Sequence, residues 1–350
     1  MDPFPVQQEI TIEEALNVFT TSAVSAGADD RILERLLDVQ SLIGEELQWV
    51  QDSLDKASRD GVSPATEAAH HLVSRGGKRV RPLLVMLSAS VFGQITEACR
   101  TVALVSEMVH SATLLHDDVA DDGMERRGAA TSRRLWGNAV SVLAGDLLLV
   151  QAISRTFSDM PSIVSNLLAM LRDMVDGEVL QLRGRTELLV SESHYRQVAR
   201  GKTASLFAWA ARSGALTAGA SLQQAEAMGC FGEKLGLAFQ MVDDVLDFVG
   251  TSTGKTSLAD LRDGKLTLPL VLAVQRCPDL MEDLLRIHAG DLARINAVAA
   301  RVVESGACDE VRAQARSLTA EATAALSTLG KSPSLKLLEG VAEDLVARIG

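Results

Sequence analysis

Aromatic side chains are scarce in this chain: they make up 3% of its 350 residues, and only one of them is Tyr. A core without large rings must be filled by Leu, Val and Ala, and hydrophobic residues do reach 47%. Those are mostly good helix formers, Val being the weaker one. Cysteine is sparse as well. Cys99, Cys230, Cys277 and Cys308 lie far apart, with no Cys-x-x-Cys spacing and no His pairing nearby. That pattern excludes a zinc framework or a disulfide scaffold and leaves free thiols in a reducing compartment; Cys99 is expected to be structural at most. Excess positive charge is missing: the formal net charge is −12, which excludes broad attraction to nucleic acid. Met1 to Ala26 lacks the basic-then-apolar pattern of a signal peptide. No run approaches the roughly 18 apolar residues of a membrane span, so the expected location is the cytoplasm.

Strand alternation and hairpin dipeptides between β-rich runs are also missing, whereas helical spacing is plentiful. It begins near residue 31 with Ile32, Leu33, Leu36, Leu37, Val39, Leu42, Ile43 and Leu47 and recurs to the C-terminus between Gly, Pro, Ser and Asp punctuation. The segments Arg81 to Val91 and Val140 to Ala152 are apolar almost all round, which predicts buried core helices. The expected fold is all-α, a single-domain helical bundle over residues 31–350, preceded by a weakly periodic extension over residues 1–30.

Two acidic clusters interrupt the apolar helices: Asp117-Asp118-Val119-Ala120-Asp121 and Asp243-Asp244-Val245-Leu246-Asp247. On a helix, positions i and i+4 share a face, so Asp117 lies with Asp121 and Asp243 with Asp247. Like charges stacked this way destabilise unless a cation neutralises them. Carboxylates without sulfur or imidazole partners favour a hard cation, Mg²⁺ before Ca²⁺, and Mg²⁺ usually brings substrate phosphates with it. The competing reading of one such cluster is a solvated acidic turn; two clusters in apolar helices weaken it.

In an acidic protein, basic clusters are informative. Gly76-Gly77-Lys78-Arg79-Val80-Arg81-Pro82 joins two helical segments, and its glycines let backbone approach a phosphate while Lys78 and Arg81 supply charge. Arg126-Arg127-Gly128 follows the first acidic cluster; paired arginines bind diphosphate bidentately. Lys202 stands next to Thr203, while Lys255 and Lys265 follow the second cluster. The turn residues Gly250, Thr251, Ser252 and Gly254 suggest a lid over a ligand. Gly254-Lys255-Thr256 lacks the first glycine of a P-loop, so a nucleotide triphosphatase is weakly supported. His110, two turns before Asp117, is a candidate diphosphate contact. His116 reads as helix packing, and His70, His71, His194 and His288 read as surface or satisfied-core residues.

Taken together, the motifs resemble the trans-isoprenyl diphosphate synthase family. The matching stretches are Gly-Gly-Lys-Arg-Val-Arg-Pro (76–82), the run from His110 to Asp122, Arg-Arg-Gly (126–128), Gly-Asn (137–138) and Gly-Asp (145–146). They continue with Gly-Glu-Val-Leu-Gln (177–181), Lys-Thr-Ala-Ser-Leu-Phe (202–207), the run from Phe239 to Asp247, and Gly-Lys-Leu-Thr-Leu-Pro (264–269). Each piece is weak; their order from about residue 35 onward is specific.

The resemblance implies helices around a deep central cavity, a homodimer, and Mg²⁺-dependent head-to-tail condensation of isopentenyl diphosphate with an allylic diphosphate. It implies that Asp117, Asp118, Asp121, Asp243, Asp244 and Asp247 serve the metal. Arg126, Lys202, Thr203, Gln240, Lys255 and Lys265 would hold the allylic diphosphate, and Lys78, Arg81, His110 and Arg127 isopentenyl diphosphate. Asp117, Asp118, Asp121, Asp243 and Lys202 would be the catalytic set. Asp122 is an additional carboxylate to which the motif gives no role. Short-chain members commonly carry an aromatic residue four or five positions before the first cluster. Here Thr113 and Ala112 stand there, which implies an open tunnel and a product of C30 or longer, near C40, delivered to a membrane. Phe157 is a candidate tunnel floor, the plainer reading being a core Phe. Alternatives kept open are a short-chain geranylgeranyl or farnesyl synthase, a class I terpene cyclase, and a non-catalytic synthase subunit.

Overall fold

The computed structural model describes residues 30–249 and 258–347; the expected N-terminal extension and Lys255 with its lid loop lie outside the described residues. The described chain is all-α apart from one two-residue ladder, as the helical periodicity predicts. Its contacts group into two compact units, one running to Leu87 and resuming over Ile95–Pro161, the other comprising Ser88–Gln94 and the chain from Ser162 onward.

The first unit holds α1 (Asp30–Ser58), α2 (Ala65–Val73), the start of α3 (Val80–Ser90), α4 (Glu97–Ala120), α5 (Ser132–Trp136) and α6 (Asn138–Asp159). Thr96 caps α4 by accepting from the Cys99 amide, satisfying one of the donors a helix start leaves open. From Thr101 to Val109 every side chain of α4 is buried, so this helix is central and must carry apolar residues on all faces. Antiparallel α6 is clamped to it by Asp159 accepting from Thr101 at 2.7 Å and by Ser141 donating to the Leu115 carbonyl at 3.0 Å. Between these clamps the helices nearly touch: a Cβ at Gly145 would fall 3.0 Å from the Ala112 carbonyl oxygen and against the His116 ring. His116 is thus a packing residue, as expected.

Two expectations need correction. The apolar stretch Arg81 to Val91 is indeed core, with Leu83 to Leu87 buried, but Val140 to Ala152 is not. The inner face of α6 is Ser141, Ala144, Gly145, Leu148, Ala152 and Thr156, whereas Leu143, Val150 and Phe157 are 58, 61 and 68% exposed. Phe157 is therefore neither a tunnel floor nor a core Phe within this chain. A helix that is apolar all round needs cover on all sides, and the described residues supply it on one. By length and composition α6 could also cross a membrane, contrary to the expectation that no segment comes close; its inner face is spent on α4.

The second correction is the ladder itself. Glu125–Arg126 (β1) pairs antiparallel with Ala129–Ala130 (β2). Its turn, Arg127-Gly128, has both residues at positive φ, 51° and 71°, as a tight two-residue hairpin turn requires. An arginine in the first of those positions is no sequence signal for a hairpin.

The second unit is built on α7 (Val164–Glu187), α8 (Glu192–Ala199), α9 (Ser205–Thr217) and α10 (Leu222–Val249). After the undescribed loop come α11 (Ala259–Arg262), α12 (Leu268–Arg276), α13 (Leu280–His288), α14 (Ile295–Glu304), α15 (Ala307–Ala325) and α16 (Pro333–Ala347). α10 is its centre. Gly232 lets α9 lie against it, since a Cβ there would meet the Phe207 carbonyl oxygen at 2.5 Å, and Gly236 does the same for the turn before α9, at 2.7 Å from the Ala204 Cα; Phe207 packs on Phe239 with ring centroids 5.3 Å apart. Between α8 and α9 the helix widens into a π-turn over Arg200–Ala204.

Candidate active site

The basic residues of the first unit converge. Gly76 and Gly77, at φ 69° and 159°, and Arg79, at φ 46°, turn the backbone between α2 and α3 so that Lys78 is exposed and Arg81 is half-buried on the first turn of α3. The hairpin brings Arg127 to the same place, where it donates to the Gly76 carbonyl oxygen. Around the His110 imidazole stand Arg81, Arg127, Arg126 and Arg79, and burial together with those charges holds it well below the usual histidine range. Desolvation and the neighbouring arginines also bring Arg127 down to about 10. Solvent still reaches both side chains, so they are surrounded by protein yet open on one side. That is a cationic recess, and it brings together Arg81, His110 and Arg127, expected on one substrate, with Arg126, expected on the other. Crowding of guanidinium groups in one place favours a bound anion.

The first acidic cluster ends α4 beside the recess. Asp117 and Asp118 lie on the helix and Asp121 at its C-cap. Asp118 is 2% exposed; burial raises its pKa, and the Arg126 guanidinium, donating to Oδ1 at 2.8 Å, opposes that shift. Asp118 thereby orients Arg126. Asp122, whose role the motif left open, is exposed at φ 53° and paired with Arg133 at 2.8 Å.

In the second unit a chain of side-chain hydrogen bonds links the π-turn to the second acidic cluster. Thr203 donates to Gln240 Oε1 at 2.7 Å, and Gln240 Nε2 donates to Asp244 Oδ1 at 2.8 Å. Lys202 is ion-paired with Glu178 of α7. Burial, and then nearby Asp260, push the Asp244 carboxyl up to about 8; the Tyr195 hydroxyl lies against it without forming a well-aligned bond. The Asp247 carboxylate accepts from the Ala259 and Asp260 amides at 3.1 and 3.2 Å, which ties the cluster to the start of α11. Lys265 stands between Asp260 and Asp263 at 3.4 and 3.3 Å. Ala112 is fully buried against α6, and half-buried Thr113 donates to the His110 carbonyl oxygen at 2.9 Å.

Sequence reading missed what holds the lysine in place. Gly177 of α7 and Gly201 of the π-turn touch backbone to backbone: a Cβ on Gly177 would come within 2.7 Å of the Lys202 nitrogen, and one on Gly201 within 2.7 Å of the Asp173 carbonyl oxygen. The Gly-Glu at 177–178 was the available signal.

Both clusters fit a divalent cation. Asp118 Oδ2 and Asp244 Oδ2 are buried oxygens without a hydrogen-bond partner, and a nearby dication would favour the charged form that burial disfavours. Among the described residues no three carboxylate, imidazole or thiol groups form a closed cage.

The family model for polyprenyl synthetase matches residues 62–303, a span that includes the recess and both acidic clusters. The chain belongs to the polyprenyl synthetase family. As a member it is a prenyltransferase, and its helical architecture is the family's. It is 33% identical over 320 residues to octaprenyl diphosphate synthase of Escherichia coli, covering 89% of this chain and 98% of that protein. It is also 31% identical over 324 residues to a short chain isoprenyl diphosphate synthase of Methanothermobacter thermautotrophicus, covering 89% and 99%. Among solved structures, a polyprenyl synthase from Caulobacter crescentus complexed with calcium and isoprenyl diphosphate superposes with a TM-score of 0.84 at 34% identity, covering 88% of this chain and 96% of that one.

Proposed function

We propose that this polyprenyl synthetase condenses isopentenyl diphosphate head to tail with an allylic diphosphate. Its product would be an all-trans polyprenyl diphosphate, long-chain and near octaprenyl in length. The observation that carries this reading is the cationic recess around His110, set directly beside the acidic end of α4. A recess walled by Arg81, Arg126 and Arg127 suits a diphosphate, because guanidinium forks match its oxygens. Lys78, Arg81, His110 and Arg127 are assigned to isopentenyl diphosphate. Lys202, Thr203, Gln240, Arg126 and Lys265 are assigned to the allylic partner, with Lys255 by family motif.

Mg²⁺ would be held by Asp117 and Asp121 and by Asp243 and Asp247, with the buried Asp118 and Asp244 behind them; bound there, it neutralises charge developing on the diphosphate leaving group. The allylic C–O bond breaks, and Lys202, Arg126 and Lys265 stabilise the negative charge on the departing diphosphate. Apolar helix faces keep water from the allylic cation. The isopentenyl double bond attacks that cation, and the proton then lost passes to the released diphosphate, since no side chain of the motifs is a strong base. His110, kept neutral, can donate one hydrogen bond and does not compete as a proton acceptor.

We also assign the enzyme to the cytoplasm, where its free thiols would stay reduced, and take it to work as a homodimer through the uncovered apolar stripe of α6. The long product follows from Ala112 and Thr113, where no aromatic side chain closes the tunnel; the short-chain relative keeps a geranylgeranyl-length product as the second reading. Purified chain should make product from isopentenyl diphosphate and each starter only with Mg²⁺, sized by mass spectrometry. Asp117→Ala and Asp243→Ala should each lower turnover by orders of magnitude. Product formed without isopentenyl diphosphate, no product from the chain alone, or wild-type rates in either variant would overturn the assignment.

A further inference from the structure

Behind the recess lies a polar cluster that the reaction as described does not use. Arg79 is almost wholly buried, and so is Glu107 on α4, one turn before His110. Arg79 Nη1 donates to Glu107 Oε1 at 2.5 Å, and its Nε and Nη2 donate to Gln51 Oε1 of α1 at 2.9 and 2.6 Å. The same guanidinium stands beside that of Arg127: a Cβ on Gly77 would lie 3.1 Å from Arg79 Nη1 and 3.0 Å from Arg127 Nη2. Two arginines therefore close on one glycine from either side. Arg79 holds a left-handed backbone, which a residue with a side chain avoids unless its surroundings enforce it.

A buried ion pair is a poor source of stability compared with an apolar pair of the same volume, so this one needs another reason to be where it is. Its geometry supplies one. Without the Glu107 charge, Arg79 would repel Arg127 across Gly77; with it, Arg79 becomes a fixed post against which the Gly76–Gly77 turn is folded, and Arg127 is tied to that turn through the Gly76 carbonyl.

We infer that Arg79 and Glu107, braced by Gln51, are positioning residues of the recess: they fix the Gly76–Gly77 backbone and Arg127 in the arrangement that receives the diphosphate of isopentenyl diphosphate. The inference rests on the assignment of the recess to that substrate. The pair touches no reacting atom; it sets where Arg127 and the loop carrying Lys78 stand.

The test separates positioning from stability. Replacing both partners at once, Arg79→Met with Glu107→Leu, removes the post without leaving an uncompensated charge. The full-length double variant should melt near the wild-type temperature, show a KM for isopentenyl diphosphate raised about tenfold, and keep the wild-type KM for the allylic diphosphate. A wild-type KM for isopentenyl diphosphate in the folded double variant would overturn the inference. If that variant does not fold, Gln51→Ala decides: it loosens Arg79 without stranding a charge, and a severalfold rise in the same KM supports positioning, whereas no change overturns it. Lys78→Ala is the reference. Should it raise the allylic KM in place of the isopentenyl one, the substrate assignment itself falls, and the inference with it.

Discussion

His110 illustrates how a single residue can be legible in type and hidden in state. Its spacing from Asp117 marks it as a candidate diphosphate contact, but only the packing shows four guanidinium groups around it. The same holds for the acidic residues. The doubled clusters announce a hard cation, yet nothing in the pattern distinguishes Asp118, which holds Arg126, from Asp117 beside it. Partners distant in sequence, such as Glu107 for Arg79, are invisible for the same reason. The imidazole's lowered pKa has a consequence with a definite sign. Above 6.5 it is neutral in folded and unfolded chain alike and contributes nothing to the pH dependence of stability. Below 6.5 the unfolded chain takes up a proton that the folded recess refuses, so stability is lost as pH falls. His110→Asn should therefore flatten the fall in melting temperature between pH 6.5 and 5 in the ligand-free protein. An unchanged slope would show that the imidazole is protonated in the recess.

Elements were legible wherever one period ran for several turns, and illegible where a few residues break that period. The long helices α4 and α10 were evident from their spacing. The π-turn at Arg200–Ala204 was not, because its widening depends on Gly177 of another helix and not on local propensity. Gly177→Ala would put a methyl within 2.7 Å of the Lys202 backbone nitrogen, where no flexible side chain can yield. The π-turn must shift, carrying Lys202 and Thr203 with it. We expect kcat to fall at least tenfold while the KM for isopentenyl diphosphate stays within about twofold, the misplacement being on the allylic side. Wild-type kcat would mean the close approach is dispensable. The proposed control of chain length lies on α4. Ala112 is fully buried against α6, so Ala112→Phe overpacks that contact and should lower the melting temperature. Thr113 is half-buried and has room. Ala112 has no exposed surface, so its replacement acts through packing, whereas Thr113→Phe should shorten the product to about C15–C20 by blocking the path of the growing chain. A long product retained by folded Thr113→Phe would remove α4 as the site of length control.

At the scale of the molecule, the net charge of −12 opposes the approach of anionic substrates at long range, and salt screening shortens that reach to about 8 Å under physiological conditions. Capture then depends on the local recess. The other molecular-scale feature is the apolar surface left uncovered. On α6, Leu143, Val150 and Phe157 recur every seven residues; on α7, Leu168, Val175 and Leu182 do the same, with Val179 beside them, and all are exposed. A seven-residue apolar repeat is the seam of a helix that packs against another helix. Composition could not reveal it, since inward and outward faces are equally apolar and, among the described residues, only the inward face is covered. Fully covering one such side chain contributes about 1.5–3 kcal/mol, so the stripes of two subunits supply a driving force of the same order as the cost of association, about 4–15 kcal/mol. Val150→Glu, placed in the middle of the α6 stripe, would strand a charge in that seam. The wild-type protein should sediment as a dimer and Val150→Glu as a monomer with unchanged helical circular dichroism. The exposed control Asp146→Asn should remain dimeric. A wild-type protein that sediments as a monomer, or a Val150→Glu protein that stays dimeric, would show that α6 is not the surface through which two copies meet.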